Sequence, residues 1–377
     1  MTKKSDAPAI RFKGFSDAWE QRKLSEITDK VTEKNAGLQY VETFTNSAEF
    51  GIISQRDFFD HDIAKLGSLD GYYIVKTEDF VYNPRISTSA PVGPINRNKL
   101  GRTGVMSPLY TVFRPHDIDT TYLEYFFKCG YWHSFMNFNG DSGARSDRFS
   151  IRDNVFFQMP IPIPDIDEQR KIGELLTCLD NLITLHQRKF EKLTNVKKSM
   201  LEKMFPQNGS SYPEIRFKGF TDPWEQRKAK EICSIGTGKS NTQDQVDDGK
   251  YPFYIRSDVP VRSNKYLYDC EAVITIGDGN IGKVFHYVNG KFDLHQRCYK
   301  MTDFKDIWGK YFFYYFSTKF YDRAMKMTAK ATVDSVRLEM ISEMDIKKPP
   351  QISEQKQIAE FFANLDNLIT LHQREPT

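Results

Sequence analysis

Three short stretches carry residue types that could do chemistry. CSIGTGKS at 233–240 offers the glycines, lysine and hydroxyl of a loop that cradles phosphates on backbone N–H groups. That loop needs glycine where Cys233 stands, and no strongly apolar strand precedes it, so a nucleotide site does not follow. YNPRI at 82–86 is similar to the N-P-P-Y tetrapeptide of amino-methyltransferases, but Arg85 replaces the second proline and no glycine-rich cofactor loop lies upstream. PDIDEQRK at 164–171 sets carboxylates beside bases, as nucleases do, yet at a helix start where acidic residues are expected for the dipole alone. The chain has no H-E-x-x-H, no G-x-S-x-G and no paired catalytic carboxylates in a plausible frame. The expectation is a protein that does no chemistry by itself.

The elements that would hold such residues come next. At 377 residues the chain is long enough for two domains, each able to bury its own core. Phe (29) and Tyr (19) are too abundant for a helical bundle alone, so sheet is expected. Five scattered cysteines without a C-x-x-C pair suggest neither disulfides nor zinc, and read as reduced thiols in a cytoplasm. No apolar run follows the N-terminus, and YFFYYFSTKFY at 311–321 is too short to span a bilayer. Net charge is only +3, but its distribution is uneven. Between Phe80 and His116 stand Arg85, Arg97, Lys99, Arg102 and Arg114 with no acidic residue, and between Lys319 and Arg337 five basic residues face only Asp322 and Asp334. Such segments are either solvated loops or a surface that faces phosphates.

The chain is one unit written twice. IRFKGFSDAWEQRK (10–23) returns as IRFKGFTDPWEQRK (215–228), 12 of 14 positions identical. IDEQRKIGELLTCLDNLITLHQR (166–188) returns as ISEQKQIAEFFANLDNLITLHQR (352–374). Between these blocks a fainter gapless match pairs Gly93 with Gly282, Gly101 with Gly290, Tyr110 with Tyr299, Asp117 with Asp306, Tyr122 with Tyr311 and Phe127 with Phe316. Each half therefore reads as an opening segment, a variable mixed body and a helix. Phe12, Phe15 and Trp19, like Phe217, Phe220 and Trp224, are expected to pack each opening segment into the shared scaffold. Within the bodies, GYYIV, DFVYN, LYTVF, EAVITI and KVFHYV read as strands, and the aromatics of 120–138 and 307–327 take a helical spacing that suits a core.

From Asp167 to about Met204 the only helix-weakening residue is Gly173, and apolar positions step by four and three through Ile172, Leu176, Leu179, Ile183, His186, Phe190 and Leu193. This is a heptad seam on a helix about 57 Å long, at ~1.5 Å per residue. Asp165 or Asp167 can cap it. The second copy repeats the seam at Ile358, Phe362, Leu365, Ile369 and His372, with Ser353 in the capping position and Pro376 barring extension. Antiparallel pairing of the two stripes would give a pseudo-two-fold arrangement. His186 and His372 are expected to pack, or to sense pH, rather than bind metal.

The duplicated F-K-G-F-x-D-x-W-E-Q-R-K and the duplicated P-x-x-x-E-Q-x-x-I before LDNLITLHQR closely resemble the specificity (S) subunit of type I restriction-modification systems, over essentially the whole chain. The resemblance implies an α+β fold in which two similar mixed α/β target recognition domains are joined by long helices in an antiparallel coiled coil. The expected boundaries are 1–163 for the first recognition domain, 164–210 for the central helix, 211–350 for the second domain and 351–377 for the short C-terminal helix. It further implies a bipartite double-stranded DNA target, one half-site per domain, and two methylation (M) subunits that carry S-adenosylmethionine and modify adenine at N6. Restriction (R) subunits that use ATP and magnesium would join the same bacterial, cytoplasmic assembly. No cofactor, metal or membrane is implied for this chain.

Candidate DNA contacts are Arg85, Arg97, Arg102, Arg145 and Arg148 in the first body, and Lys283, Lys291, Arg297, Lys330, Thr332 and Arg337 in the second. Candidate coiled-coil and M-docking residues are Leu176, Leu179, Ile183, His186, Phe190, Leu365, Ile369 and His372. The alternatives are a coiled-coil scaffold whose bodies bind proteins, and a stand-alone methyltransferase or nuclease, which would need the cofactor loop that is missing.

Overall fold

A computed structural model describes residues 8–59, 66–141, 147–327 and 335–373. The chain divides into two compact units at Ile183/Thr184, inside its longest helix. Among the described residues, no helix is long and apolar enough to cross a membrane.

In the first unit the chain forms β1 (Glu20–Lys23), β2 (Thr28–Lys30), β3 (Phe44–Ser47), β4 (Gly51–Ser54), α1 (Gln55–Phe59), β5 (Tyr73–Val75), β6 (Phe80–Tyr82), β7 (Ile95–Arg97), β8 (Gly104–Met106) and β9 (Thr111–Pro115). Helices α2 (Thr120–Lys128), α3 (His133–Asn139) and α4 (Asp153–Phe156) precede β10 (Pro160–Ile163) and the long α5 (Ile166–Lys203). A four-stranded sheet of order β2-β9-β6-β7 forms the centre. Strand β6 sits inside it, which is why all three of its residues are apolar and buried instead of alternating. The helical aromatic stretch of 120–138 is two helices: Cys129 takes an extended conformation and a short 3-10 turn over Gly130–Trp132 separates them. Leu123, Phe126 and Phe127 on α2 pack with Phe80, Phe113, Phe156 and Trp132 in the main core.

The second unit contains β11 (Glu225–Lys228), α6 (Ala229–Ile232), β12 (Ser234–Thr237), β13 (Tyr251–Tyr254), β14 (Val261–Ser263), β15 (Tyr268–Ile276), β16 (Phe285–Leu294) and β17 (Cys298–Thr302). It continues through α7 (Gly309–Met327), α8 (Leu338–Ser342), β18 (Asp345–Lys348) and α9 (Ile352–Gln373). Its sheet has six strands in the order β12-β17-β15-β16-β13-β14. The aromatics of α7, among them Tyr311, Phe312, Phe316 and Phe320, are buried in the larger core with Phe205 and Phe362.

The duplicated blocks do the same structural work in each unit. The EQRK of the opening segment forms a strand antiparallel to the strand just before the helix: β1 on β10, with Glu20 opposite Ile163, and β11 on β18, with Glu225 opposite Lys348. Pro160 and Pro162 are tolerated in β10 because this ladder has only two strands. Arg11 then grips Glu168, and Arg216 grips Glu354, each as a two-bonded fork onto the helix's first turns. The next residue is also used twice. Gln169 accepts from the Asp119 N–H at 2.9 Å and donates to the Pro164 carbonyl, while Gln355 accepts from the Trp308 N–H at 2.8 Å and donates to Pro349. The Tyr122 hydroxyl reaches the Pro162 carbonyl and that of Tyr311 the Lys347 carbonyl. Trp224 is buried against Phe205 and Tyr311, whereas Trp19 is half-buried, edge-on to Tyr122.

Of the two caps expected for the first helix, Asp165 is the one used, while the cap expected for the second is not. Asp165 caps α5 by accepting from the Asp167 N–H at 2.8 Å, so Asp167 lies inside the first turn and pairs with Arg170 instead. Helix α9 starts at Ile352, with the Gln351 carbonyl accepting from Glu354 and Gln355, so Ser353 is likewise in the first turn and not at the cap.

Within the second unit, α9 runs antiparallel to the later turns of α5: His186 meets His372, Lys197 pairs with Asp366, and Phe205 stacks on Phe362. Leu365 is buried in this contact, and Phe190, Ile369 and His372 are half-buried. Earlier on α5 the seam is less closed: Leu176 is half-buried, while Leu179 and Ile183 are 45% and 50% exposed. Those two precede the turn at which His372, in the last turn of α9, meets its partner.

Candidate nucleic-acid interface

In the first unit, the loop after β6 is pinned beside the segment that leads to α4. Ile86 donates to the Asp147 carbonyl at 3.0 Å and Phe149 donates to the Pro84 carbonyl at 2.7 Å, which sets Arg85 directly opposite Arg148 in an antiparallel bridge. The Asn83 carboxamide accepts from the Arg85 N–H at 2.9 Å and donates to the Asn46 carbonyl, closing a tight turn under Arg85. Gly93 backs this turn with φ +84°, and a Cβ there would lie 2.1 Å from the Asn83 carbonyl oxygen. An open groove of about 620 Å³ runs along it, lined by Arg85, Arg148, Asn46, Gln55, Ser89 and Tyr110 among others. Arg148 and Tyr110 also line a second cleft, of about 470 Å³.

The other basic residues of the acid-free segment are not so placed. Arg97 is largely buried, bonded to Glu78 at 2.9 Å and to the Thr120 hydroxyl at 2.7 Å, and ion-paired with Glu124. Burial raises the Glu124 pKa, but the charges of Arg97, Lys128 and Lys99 outweigh it and leave the carboxyl below its ordinary range. Arg102 makes a two-bonded fork with Glu42, whose pKa is lowered first by that hydrogen bond. Arg114 does the same with the buried Asp79. The acid-free character of the segment is thus local to the sequence, because its carboxylates arrive from elsewhere in the fold. Arg145 lies outside the described residues.

The second unit repeats the crossing with different chemistry. Val336 donates to the Gly277 carbonyl at 2.6 Å and Asp278 stands opposite Ser335. Asp278 takes two arginines on one oxygen, Arg297 at 2.8 Å and Arg256 at 3.2 Å, beside a cleft of about 400 Å³ that Thr242, Asn280 and His295 also line. Burial first, then the charge of Arg256, lowers the His295 pKa and keeps that ring neutral at pH 7. Lys283 sits over the Tyr321 ring and Lys291 over the Tyr266 ring, neither lining this cleft. Arg337 precedes α8 and is exposed. Lys330 and Thr332 lie outside the described residues. Arg256, Asp278 and Asn280 escaped the charge count: Arg256 belongs to neither basic segment, and an acidic residue at the centre of a cationic site runs against the signal being counted.

Fold and site together define a class: a mixed α/β unit written twice, each copy locked to its own helix start by the same Arg–Glu fork and each carrying a crossing of two loop segments with different side chains. The family model for the type I restriction modification DNA specificity domain matches residues 16–195 and again 221–377, and the chain belongs to that family. Two relatives from Methanocaldococcus jannaschii are a type I restriction enzyme specificity subunit, MjaVIII, 26% identical over 253 residues (59% of this chain), and a putative one, MjaX, 22% identical over 249 residues (60% of this chain). The matched stretches span 58% and 57% of those relatives' lengths. In fold, the chain resembles the S subunit of the type I restriction-modification system from M. genitalium, with a TM-score of 0.61 at 12% identity, covering 96% of this chain and 92% of that one.

Proposed function

We propose that this chain is the non-catalytic DNA sequence-specificity subunit of a type I restriction-modification assembly. Each unit reads one half-site of a bipartite duplex, and the chain directs adenine N6 methylation by M subunits and cleavage by R subunits. S-adenosylmethionine, ATP and magnesium belong to those partners. The observation that carries this reading is the crossing present in both units, flanked by the same backbone bond (Phe149 to Pro84, Val336 to Gly277) and carrying two different sets of side chains. A duplicated frame with unlike surfaces suits two different half-sites. The exposed Leu179, Leu182 and Ile183 on α5 give a docking subunit apolar purchase.

The test exchanges residues 24–160 for the same region of a relative, in a host carrying the M partner, and maps N6-methyladenine genome-wide. One half of the modified motif should change and the other persist. A motif untouched by the exchange would sink the proposal.

A further inference from the structure

We infer that Arg85 and Arg148 form a paired guanine reader, so that the half-site facing the first unit contains a G·C pair read by these two side chains. The inference rests on the DNA-reading function proposed above. Its basis is a contrast among arginines. Arg97, Arg102 and Arg114 each hold a carboxylate, whereas among the described residues neither the Arg85 nor the Arg148 guanidinium has an acidic or hydrogen-bonding partner.

Their placement sharpens the contrast. The two bonds that flank the bridge, Ile86 to Asp147 and Phe149 to Pro84, make residues 85 and 148 a non-hydrogen-bonded pair, the closer of the two antiparallel geometries. Like charges directly opposed in that position destabilise a ladder. The fold nevertheless fixes them there, through the Asn83 turn and the tight seat of Gly93. A ligand rich in acceptors relieves the repulsion. Glu49 also lines the groove but, among the described residues, ion-pairs with neither arginine, and the Asn46, Gln55 and Ser89 side chains add neutral polar contacts.

Phosphate oxygens offer such acceptors, and among the base edges of the major groove guanine alone presents two adjacent ones, O6 and N7. A guanidinium fork matches the guanine edge with two parallel bonds. Arg148 is half-buried between two clefts, which limits the directions its fork can take, and Arg85, though exposed, is carried directly opposite it on the same bridge; a lone phosphate contact needs no such fixed pairing. At the second unit's crossing the bridged residue is Asp278, which holds Arg256 and Arg297, so the two crossings present unlike side chains.

The experiment maps N6-methyladenine in a host carrying the M partner with the wild-type chain, Arg148→Lys or Arg85→Lys. Lysine keeps the charge but loses the fork. The wild-type motif is expected to contain G·C in the half that residues 24–160 control. Each variant should relax one such position by roughly tenfold to a hundredfold, the cost of one bidentate contact at 1.4 kcal/mol per decade, and leave the other half-site intact as a folding control. A controlled half-site made only of A·T pairs overturns the inference, as does a variant that keeps the full motif or weakens all sites evenly, the signature of phosphate contact. Failure of the functional proposal looks different: methylation then does not depend on this chain or on which residues 24–160 it carries.

Discussion

Arg216 lays its guanidinium flat against the Glu354 carboxylate, Nε to Oε1 at 2.7 Å and Nη2 to Oε2 at 2.9 Å, with the carboxylate 1% exposed. Arg11 makes the same fork on Glu168 at 2.7 Å for both bonds. The glutamates belong to the duplicated E-Q of the helix starts and the arginines to the duplicated opening segments, so each pair locks one copied block onto the other. Arg216→Ala strands a buried carboxylate and should destabilise the second unit by about 3 kcal/mol, the usual cost of breaking such a pair from one side. Arg216→Lys should recover only part of this, because an ammonium makes no fork. Denaturant unfolding checks both; an Arg216→Ala chain as stable as wild type removes the lock from the account.

A second duplicated contact ties each body to the LDNLITLHQR helix. The Tyr125 hydroxyl donates to Asp180 at 2.8 Å and the Tyr314 hydroxyl to Asp366 at 2.7 Å, and each aspartate also holds a lysine, Lys128 or Lys197. Tyr314 is the buried member, and its phenol pKa is driven far above the ordinary value, by burial and then by the Asp366 carboxylate. Tyr314→Phe should cost about 1.5–3 kcal/mol, the range for a hydrogen bond to a charged group. Tyr125→Phe, at an exposed contact, should cost less. Equal losses at the two positions would show that burial does not set the difference.

Much of this was legible in the sequence, and the rest was not, for a physical reason. Repetition reports frame, so the two long helices and the order of elements could be read from the copied blocks, whereas strands were legible in short β-type runs of the bodies and the copied EQRK was not legible as a strand. The E-Q dipeptide was copied as well, but a glutamate near a helix start has a ready explanation in the dipole, which hid its role as the Arg11 and Arg216 acceptor. Side-chain partnership was the harder part. Arg85, Arg97 and Arg102 look alike in an acid-free stretch, yet Arg97 finds Glu78 and Glu124, and Arg102 finds Glu42, from positions 19 to 60 residues away. Only the fold separates the paired arginines from the unpaired ones, and only the fold brings Arg256, Asp278 and Arg297 together.

Gly93 tests the rigidity of the first unit's loop. Gly93→Ala must move the Asn83 carbonyl and with it the turn that holds Arg85, besides straining a backbone at φ +84°. Gly14, also at positive φ but with open space where a Cβ would stand, is the control. Gly93→Ala should lower duplex binding by the full chain in a titration at fixed salt, while Gly14→Ala should not. Equal binding by both variants would show that the loop adapts without cost.

Asp278→Asn removes the charge that holds Arg256 and Arg297 while keeping the side chain's shape. Freed arginines can donate to other acceptors, so the methylated motif should change in the half that the second unit reads and in no other. Methylation mapping beside the Arg148→Lys variant gives a reciprocal pair. If both variants altered the same half-site, the units would not be independent readers.

The histidine pair fixes a pH dependence with a definite sign. His186 and His372 bring their Nδ1 atoms to 2.9 Å, a hydrogen bond that needs one N–H and one lone pair, so the doubly protonated state breaks it. Burial, then the charges of Lys189 and His186, lowers the His372 pKa from its ordinary 6.5. The unfolded chain therefore binds more protons than the folded one in this range, and stability rises with pH. The contribution of the pair is complete above pH 6.5 and is lost as pH falls through the lowered folded value. Thermal unfolding of the full chain should show less stability at pH 5.5 than at 7.5, and His372→Gln, which keeps a polar side chain without a titrating ring, should flatten the difference. A slope unchanged by His372→Gln would assign the pH dependence to other groups.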